Sequence, residues 1–300
     1  GGPAHFVECL MMRKPLTKRL ARILIGLLLV WVMLMTLAWL AQDRLIFPRW
    51  IANPRAMKTL PPGIEVWTRT VDDDIQIEAW FFPAVTHTNH APAIILTHGN
   101  AELIDDHFST ANAYSRSGYH VLIPEYRGYG RSGGVPGQND IVEDVCHFVE
   151  RLRSRPDVDR IAMMGRSIGC GVACQVALRH PPDAMVLMVP PARLDTMAWS
   201  YGIPGFLVRH PFRSDLALPE IDAPTLIIQR ERDEVIPSHH AGILHAAAPN
   251  SRLLQVKGSH NIPATPEVEQ EAIAAFLSQH VPIMDGPHPA PPTEHDASEK

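Results

Sequence analysis

The chain has 300 residues, 46% of them hydrophobic and 20% charged, with a formal net charge of −5. Such a chain can bury one large core, so one folded domain is expected rather than a disordered chain. The acidic balance, with no basic cluster in the folded part, excludes a nucleic-acid partner, and cysteines at 9, 146, 170 and 174 form neither a disulfide framework nor a zinc spacing.

In chain order, Gly1-Gly2-Pro3 lacks an initiator methionine, and Met11 or Met12 makes a more ordinary start. From Ile23 to Leu40 the run ILIGLLLVWVMLMTLAWL carries no charge over eighteen residues, and Arg13, Lys14, Lys18, Arg19 and Arg22 precede it. That length lies near the lower end of the ~17–25 residues that span a bilayer. The basic flank predicts a cytoplasmic N-terminus with the rest outside the cytoplasm, which is the periplasm if the source is bacterial. A cleaved signal peptide is the alternative, with Thr36 and Ala38 as its cleavage site, but the apolar run exceeds an ordinary signal-peptide core; a buried core helix is a third reading. The expected division is a basic N-terminus over 1–22, an uncleaved signal anchor over 23–40, a Pro-containing connector over 41–62, an α/β domain over 63–281 and a disordered Pro-rich tail over 282–300.

Ile64–Val71 and Ile75–Phe82 read as strands joined at Asp72-Asp73-Asp74 in a hairpin turn, with Trp67 and Trp80 packing the sheet. Apolar runs then alternate with helical stretches. The strands are Ala93–Thr97, Val121–Pro124, Ile161–Met164, Ala184–Val189, Thr225–Gln229 and Arg252–Val256. The helices are Ala101–Ser117, Asp140–Arg153, Ile168–Arg179, His239–Ala247 and Glu267–Gln279, with Asp140 and Glu143 supplying charge at the start of the second. This alternation predicts a mostly parallel sheet of about eight strands covered on both faces. The stretch 190–222, rich in Pro and Gly and carrying Trp199, Tyr201, Phe206 and Phe212, reads as a short lid.

Chemistry concentrates at Gly165-Arg166-Ser167-Ile168-Gly169, where an apolar strand runs into a helix faced with small residues. Gly-x-Ser-x-Gly in that setting is a nucleophile elbow, a sharp turn that exposes the serine hydroxyl at a strand's carboxyl end. Serine needs a base, and the base needs an orienting acid. Asp233 follows the strand Thr225–Gln229 and His260 follows Arg252–Val256, so Ser167, Asp233 and His260 fall at three strand ends in the order serine, acid, histidine. Glu231 and Glu234 read as solvated loop charges, Asp195 is the rival acid, and His239 and His240 cap or pack a helix. Acyl transfer also needs two oxyanion donors. The backbone N–H of Ile168 is one. The loop His98-Gly99-Asn100 supplies the other, from Asn100 or else Ala101, with His98 stabilising the loop. Cys170 and Cys174, one helical turn apart, read as buried apolar thiols.

The runs Thr97-His98-Gly99-Asn100-Ala101, Glu125 to Ser132, Gly165 to Gly169, Asp233 to Pro237 and Gly258 to Asn261 together resemble the α/β-hydrolase superfamily over about residues 60–280. Within it they look most like the membrane-anchored branch of depalmitoylases and bacterial hydrolases of unassigned substrate. The resemblance implies an α/β-hydrolase fold, Ser167 as nucleophile, Asp233 as acid, His260 as base, and Asn100 and Ile168 as oxyanion donors. The expected enzyme cleaves an ester or thioester of a small or lipid-like acyl substrate, the lipid-like reading resting on the apolar anchor and the aromatic lid, and no metal or organic cofactor is implied. Arg127 is similar to a residue that shapes a loop bordering the site. One departure is Gln229-Arg230-Glu231, where relatives often have His-Gly; it alters the loop carrying Asp233. A peptidase of the proline-aminopeptidase type is the alternative, for which Glu102, Asp105 and Asp106 would receive a free amino terminus. A catalytically silent binding protein is the other.

Overall fold

The computed structural model describes residues 4–72, 74–86 and 88–283, with side chains from Lys18 onward except at Pro54. Residues 284–300 of the expected tail, Asp73 of the expected turn, and the side chains of Cys9, Arg13 and Lys14 lie outside the described residues.

The elements in chain order are α1 (Ala4–Ile46), α2 (Arg49–Ala52), β1 (Glu65–Val71), β2 (Ile75–Phe82), β3 (Ala91–Thr97), α3 (Phe108–Arg116), β4 (His120–Pro124), α4 (Gln138–Arg153), β5 (Val158–Arg166), α5 (Ile168–Ala177), β6 (Ala184–Met188), α6 (Leu194–Ser200), α7 (Ser214–Ala217), β7 (Thr225–Arg230), α8 (His239–Ala247), β8 (Ser251–Val256) and α9 (Pro266–His280). The strands form one sheet in the order β1-β2-β4-β3-β5-β6-β7-β8. β2 runs antiparallel to both β1 and β4; the other pairings are parallel. This is the mostly parallel eight-stranded sheet that the alternating pattern predicts, and the α/β-hydrolase architecture that the resemblance implies.

Side chains alternate across a strand, so each buried strand feeds two cores. On β5, Ile161 and Met163 pack in the layer that holds Phe148 of α4 and Cys170 of α5. Ala162 and Met164 pack in the opposite layer with Ile273 and Phe276 of α9. Trp67 stacks on Phe81 with ring centres 4.7 Å apart, and Trp80 is wholly buried. Arg127 closes its loop onto α4 through both carboxylate oxygens of Asp144, at 2.8 and 2.9 Å.

The structure departs most from the sequence pattern at two helices. The helix expected from Ala101 begins with a 3₁₀ turn at Ile104–His107 and becomes α-helical only at Phe108, because Leu103 is extended and the Asp106 carboxylate accepts its N–H at 2.9 Å. α1 runs on to Ile46, six residues past the end of the apolar run. Its apolar stretch is unburied, and among the described residues it is the one helix long and apolar enough to cross a membrane. Its C-terminal end docks on the domain: Ile46 packs against the core, and Phe47 just beyond it and Ala52 of α2 are core residues. Residues 190–222, with α6 and α7, form a cap between β6 and β7.

Candidate active site

Ser167 sits between the last residue of β5 and the first of α5, with φ 53° and ψ −124°. Such backbone angles cost a non-glycine residue of order 1–3 kcal/mol and persist only where the surroundings impose them. The imposing contacts are close. A Cβ on Gly165 would lie 2.6 Å from Cys170 Cα, and one on Gly169 would overlap the Thr97 carbonyl oxygen. Two glycines therefore let α5 press against β5 and β3. Gly169→Ala is expected to abolish accumulation of folded protein, checked by size-exclusion yield; a normal yield would contradict this packing.

The structure brings all three strand-end residues together. His260 Nε2 lies 3.1 Å from Ser167 Oγ, and His260 Nδ1 lies 2.7 Å from Asp233 Oδ2. The carboxylate requires a proton on Nδ1, which leaves Nε2 free to accept from the serine hydroxyl. Asp233 Oδ1 accepts the backbone N–H groups of Val235 and Ile236 at 2.9 and 2.7 Å. Burial works against its ionisation, but the bonds from His260 and from these two amides outweigh it and hold the carboxyl below its ordinary value. Asp195, the rival acid, is clamped by Arg193 instead. Glu234 is exposed, as expected of a solvated loop charge, and also accepts the His260 backbone N–H at 3.1 Å.

Asn100, Ser167 and Ile168 line one cavity. The Gly99 carbonyl accepts His98 Nδ1–H at 2.9 Å and Glu102 N–H at 3.3 Å. In a planar trans peptide that fixes the Asn100 N–H in the opposite direction. Tyr126 and Tyr129 Oη donate to the carbonyls of His98 and Asn100 at 2.8 and 2.7 Å, pinning the loop from below. His98 thus acts on the loop, as expected. The Glu102 carboxylate accepts the Gly99 N–H at 2.7 Å and His107 Nε2–H at 3.1 Å, and pairs with Arg166. Arg166 in turn donates to the His260 carbonyl at 3.2 Å, tying the two loops.

Sequence reasoning missed Arg230. It is buried at the end of β7, paired with both Glu269 oxygens at 3.2 and 2.9 Å, and donates to the His260 carbonyl at 2.7 Å. The departure at Gln229-Arg230-Glu231 is therefore a tie between the acid loop, the histidine loop and α9. A charge ending an apolar strand is its signal; the partner lies 39 positions later.

Two histidines near the site are held neutral. Burial, aided by His98, lowers His107 from 6.5 to about 4. Burial, aided by His239, lowers His240 to about 4, and His240 Nδ1 accepts the Ala192 N–H at 3.1 Å at the start of the cap. Above pH 6.5 both states of the chain leave these groups neutral. Between 6.5 and about 4 only the unfolded state binds the protons, so stability falls as pH drops through that window. Thermal melts from pH 7.5 to 4.5 will show a falling Tm; a flat profile would contradict the neutral assignment.

A family described as "Serine aminopeptidase, S33" matches residues 88–212. "Uncharacterized protein MT2364" of Mycobacterium tuberculosis is 33% identical over 255 residues, covering 81% of this chain and 90% of that protein. "Lysophosphatidylserine lipase ABHD12" of Rattus norvegicus is 27% identical over 289 residues, covering 80% and 72%. The solved structure "Ferulic Acid bound to Est1E from Butyrivibrio proteoclasticus" superposes with a TM-score of 0.64 at 18% identity, covering 72% of this chain and 99% of that one. The chain belongs to the α/β-hydrolase superfamily. This α/β-hydrolase is a serine hydrolase enzyme with a lipase among its relatives. In the hydrolase, the cavity beside Ser167 measures about 540 Å³. Its wall is apolar apart from Gln42, Asn100, Ser167 and Tyr201, and among the described residues no carboxylate or cationic side chain lines it.

Proposed function

We propose that this α/β-hydrolase is a membrane-anchored enzyme that cleaves a carboxylic ester or thioester through an acyl-enzyme intermediate. The observation that carries the reading is the continuous relay from Ser167 Oγ through His260 to Asp233, opening on an apolar cavity. Ser167 Oγ attacks the acyl carbonyl while His260 Nε2 takes its proton. The Asn100 and Ile168 N–H groups, the latter at the start of α5, hold the oxyanion. His260 passes the proton to the departing alcohol or thiol, and then activates the water that releases the acid. Asp233 stabilises the imidazolium in both halves.

The anchor is α1. Its charge-free run follows Lys18, Arg19 and Arg22, which favours a cytoplasmic N-terminus and an extracytoplasmic domain. The aminopeptidase alternative takes its support from the matched family's description. Against it, the acids that would bind an amino terminus are occupied: Glu102 by Arg166 and the Gly99 N–H, Asp105 by Arg131, Asp106 by Arg55.

p-Nitrophenyl esters from acetyl to palmitoyl, set beside aminoacyl p-nitroanilides, test the reaction. Turnover of the esters is expected; preferential cleavage of the anilides would sink the ester reading. Asn100→Ala separates main-chain from side-chain oxyanion donation. Because the proposed donor is the backbone N–H, the variant should keep kcat within about fivefold, whereas a loss of ~10²–10³ would move donation to the amide side chain.

A further inference from the structure

Resting on that reading, we propose that the anchor helix is one wall of the acyl pocket, and that the acyl chain of a bilayer-resident ester reaches Ser167 sideways, between α1 and cap residues 205–209, without crossing water. Trp39, Gln42 and Ile46 of α1 face Met197, Ile203 and Leu207 of the cap across the cavity that holds Ser167. A second groove of about 360 Å³ lies between Trp31, Val32 and Met35 of α1 and Phe206 of the cap. Trp39 and Leu207 line both spaces, so these two side chains are the partition between them.

The outer groove lies at membrane depth. Met35 and Trp31 stand five and nine residues before the end of the apolar run at Leu40. At the helical rise that is roughly 8–14 Å inside its boundary, within a hydrocarbon core of about 30 Å. The cap carries matching surface: Phe206 is 84% exposed, Tyr201 79% and Trp199 61%. Phe206 lines the groove beside the span, and exposed aromatic side chains beside a membrane helix are seated by lipid rather than water.

The geometry of the portal is fixed from the water side. The Gln42 side chain donates to the Leu207 carbonyl at 3.1 Å and accepts the Arg209 N–H at 2.7 Å. Arg209 also pairs with Asp43 at 3.1 Å and lies over the Trp39 ring at 4.6 Å. Polar contacts thus close the upper side of the α1–cap gap, and apolar side chains line its lower side. A chain moving from lipid through this gap exchanges one apolar environment for another. A chain entering from water would first have to leave the bilayer, at about fourfold in concentration per methylene.

The test uses the full chain in phosphatidylcholine nanodiscs with a hexadecyl fluorophosphonate carrying a diazirine at mid-chain. After it labels Ser167, photolysis and peptide mass spectrometry locate the chain. Cross-links on Met35, Trp39, Phe206 or Leu207 are expected. Labelling of Ser167 with cross-links only elsewhere would overturn the lateral route and leave the hydrolase reading intact; absence of labelling would overturn both. Independently, Leu207→Arg places a charge in the partition, and the ratio of palmitoyl to butyryl ester hydrolysis in nanodiscs should fall at least tenfold. An unchanged ratio would overturn the proposal.

Discussion

Ser167→Ala will lower kcat/KM for ester hydrolysis by ~10⁴–10⁶ and abolish fluorophosphonate labelling. The size follows from the relay: Ser167 Oγ is the group 3.1 Å from His260 Nε2, and without it the imidazole has no nucleophile to activate. His260→Ala should cost about as much, and the double variant no more than either alone, because the groups act as a unit. Activity surviving in Ser167→Ala would remove the proposed mechanism. Ser167→Gly provides a second readout. It too should be inactive, yet more stable than the parent: the strain at φ 53° is of order 1–3 kcal/mol, and the glycine entropy cost is only ~0.5–1 kcal/mol. A raised Tm in an inactive protein would show that the elbow holds strain for function.

Glu269→Gln is expected to destabilise the fold by ~3–5 kcal/mol, because it strips the counter-charge from a buried Arg230. The pair's side chains are 5% and 8% exposed, so water cannot compensate. For a domain of this size that is a fall in Tm of roughly 10 °C. Replacing both partners, as in Arg230→Met with Glu269→Leu, should recover most of the stability, since a packed apolar pair avoids the desolvation cost. It should not recover kcat. Arg230 also donates to the His260 carbonyl at 2.7 Å, and methionine cannot hold that loop. Recovery of full kcat in the double variant would reduce Arg230 to a space-filling role.

Much of the domain is legible in the residues alone. β2 and α8 lie at the bounds their residue pattern predicts, and the other strands differ by one to three residues at one end, or at both ends for β5. Buried strands are short apolar runs whose signal is local. The serine, acid and histidine are legible because a parallel sheet delivers its strand ends to one edge, so order along the chain stands in for proximity in space. The start of the first helix after β3 is not. There the chain gives up helical bonds to shape a loop, and Glu102 turns back on Gly99 instead of extending a helix.

Residue order and local pattern suffice for the apolar span, the alternating strands and the identity of the three candidate catalytic side chains, because each is written in residues close together or in a fixed succession. What those parts meet is settled by the folded chain. Gln42 finds its partner 165 residues away on the cap, Arg230 finds Glu269 on the last helix, and the end of α1 lines the cavity that holds Ser167. Such contacts depend on shape and hydrogen-bond pairing between surfaces far apart in the chain, and no local period or spacing encodes them.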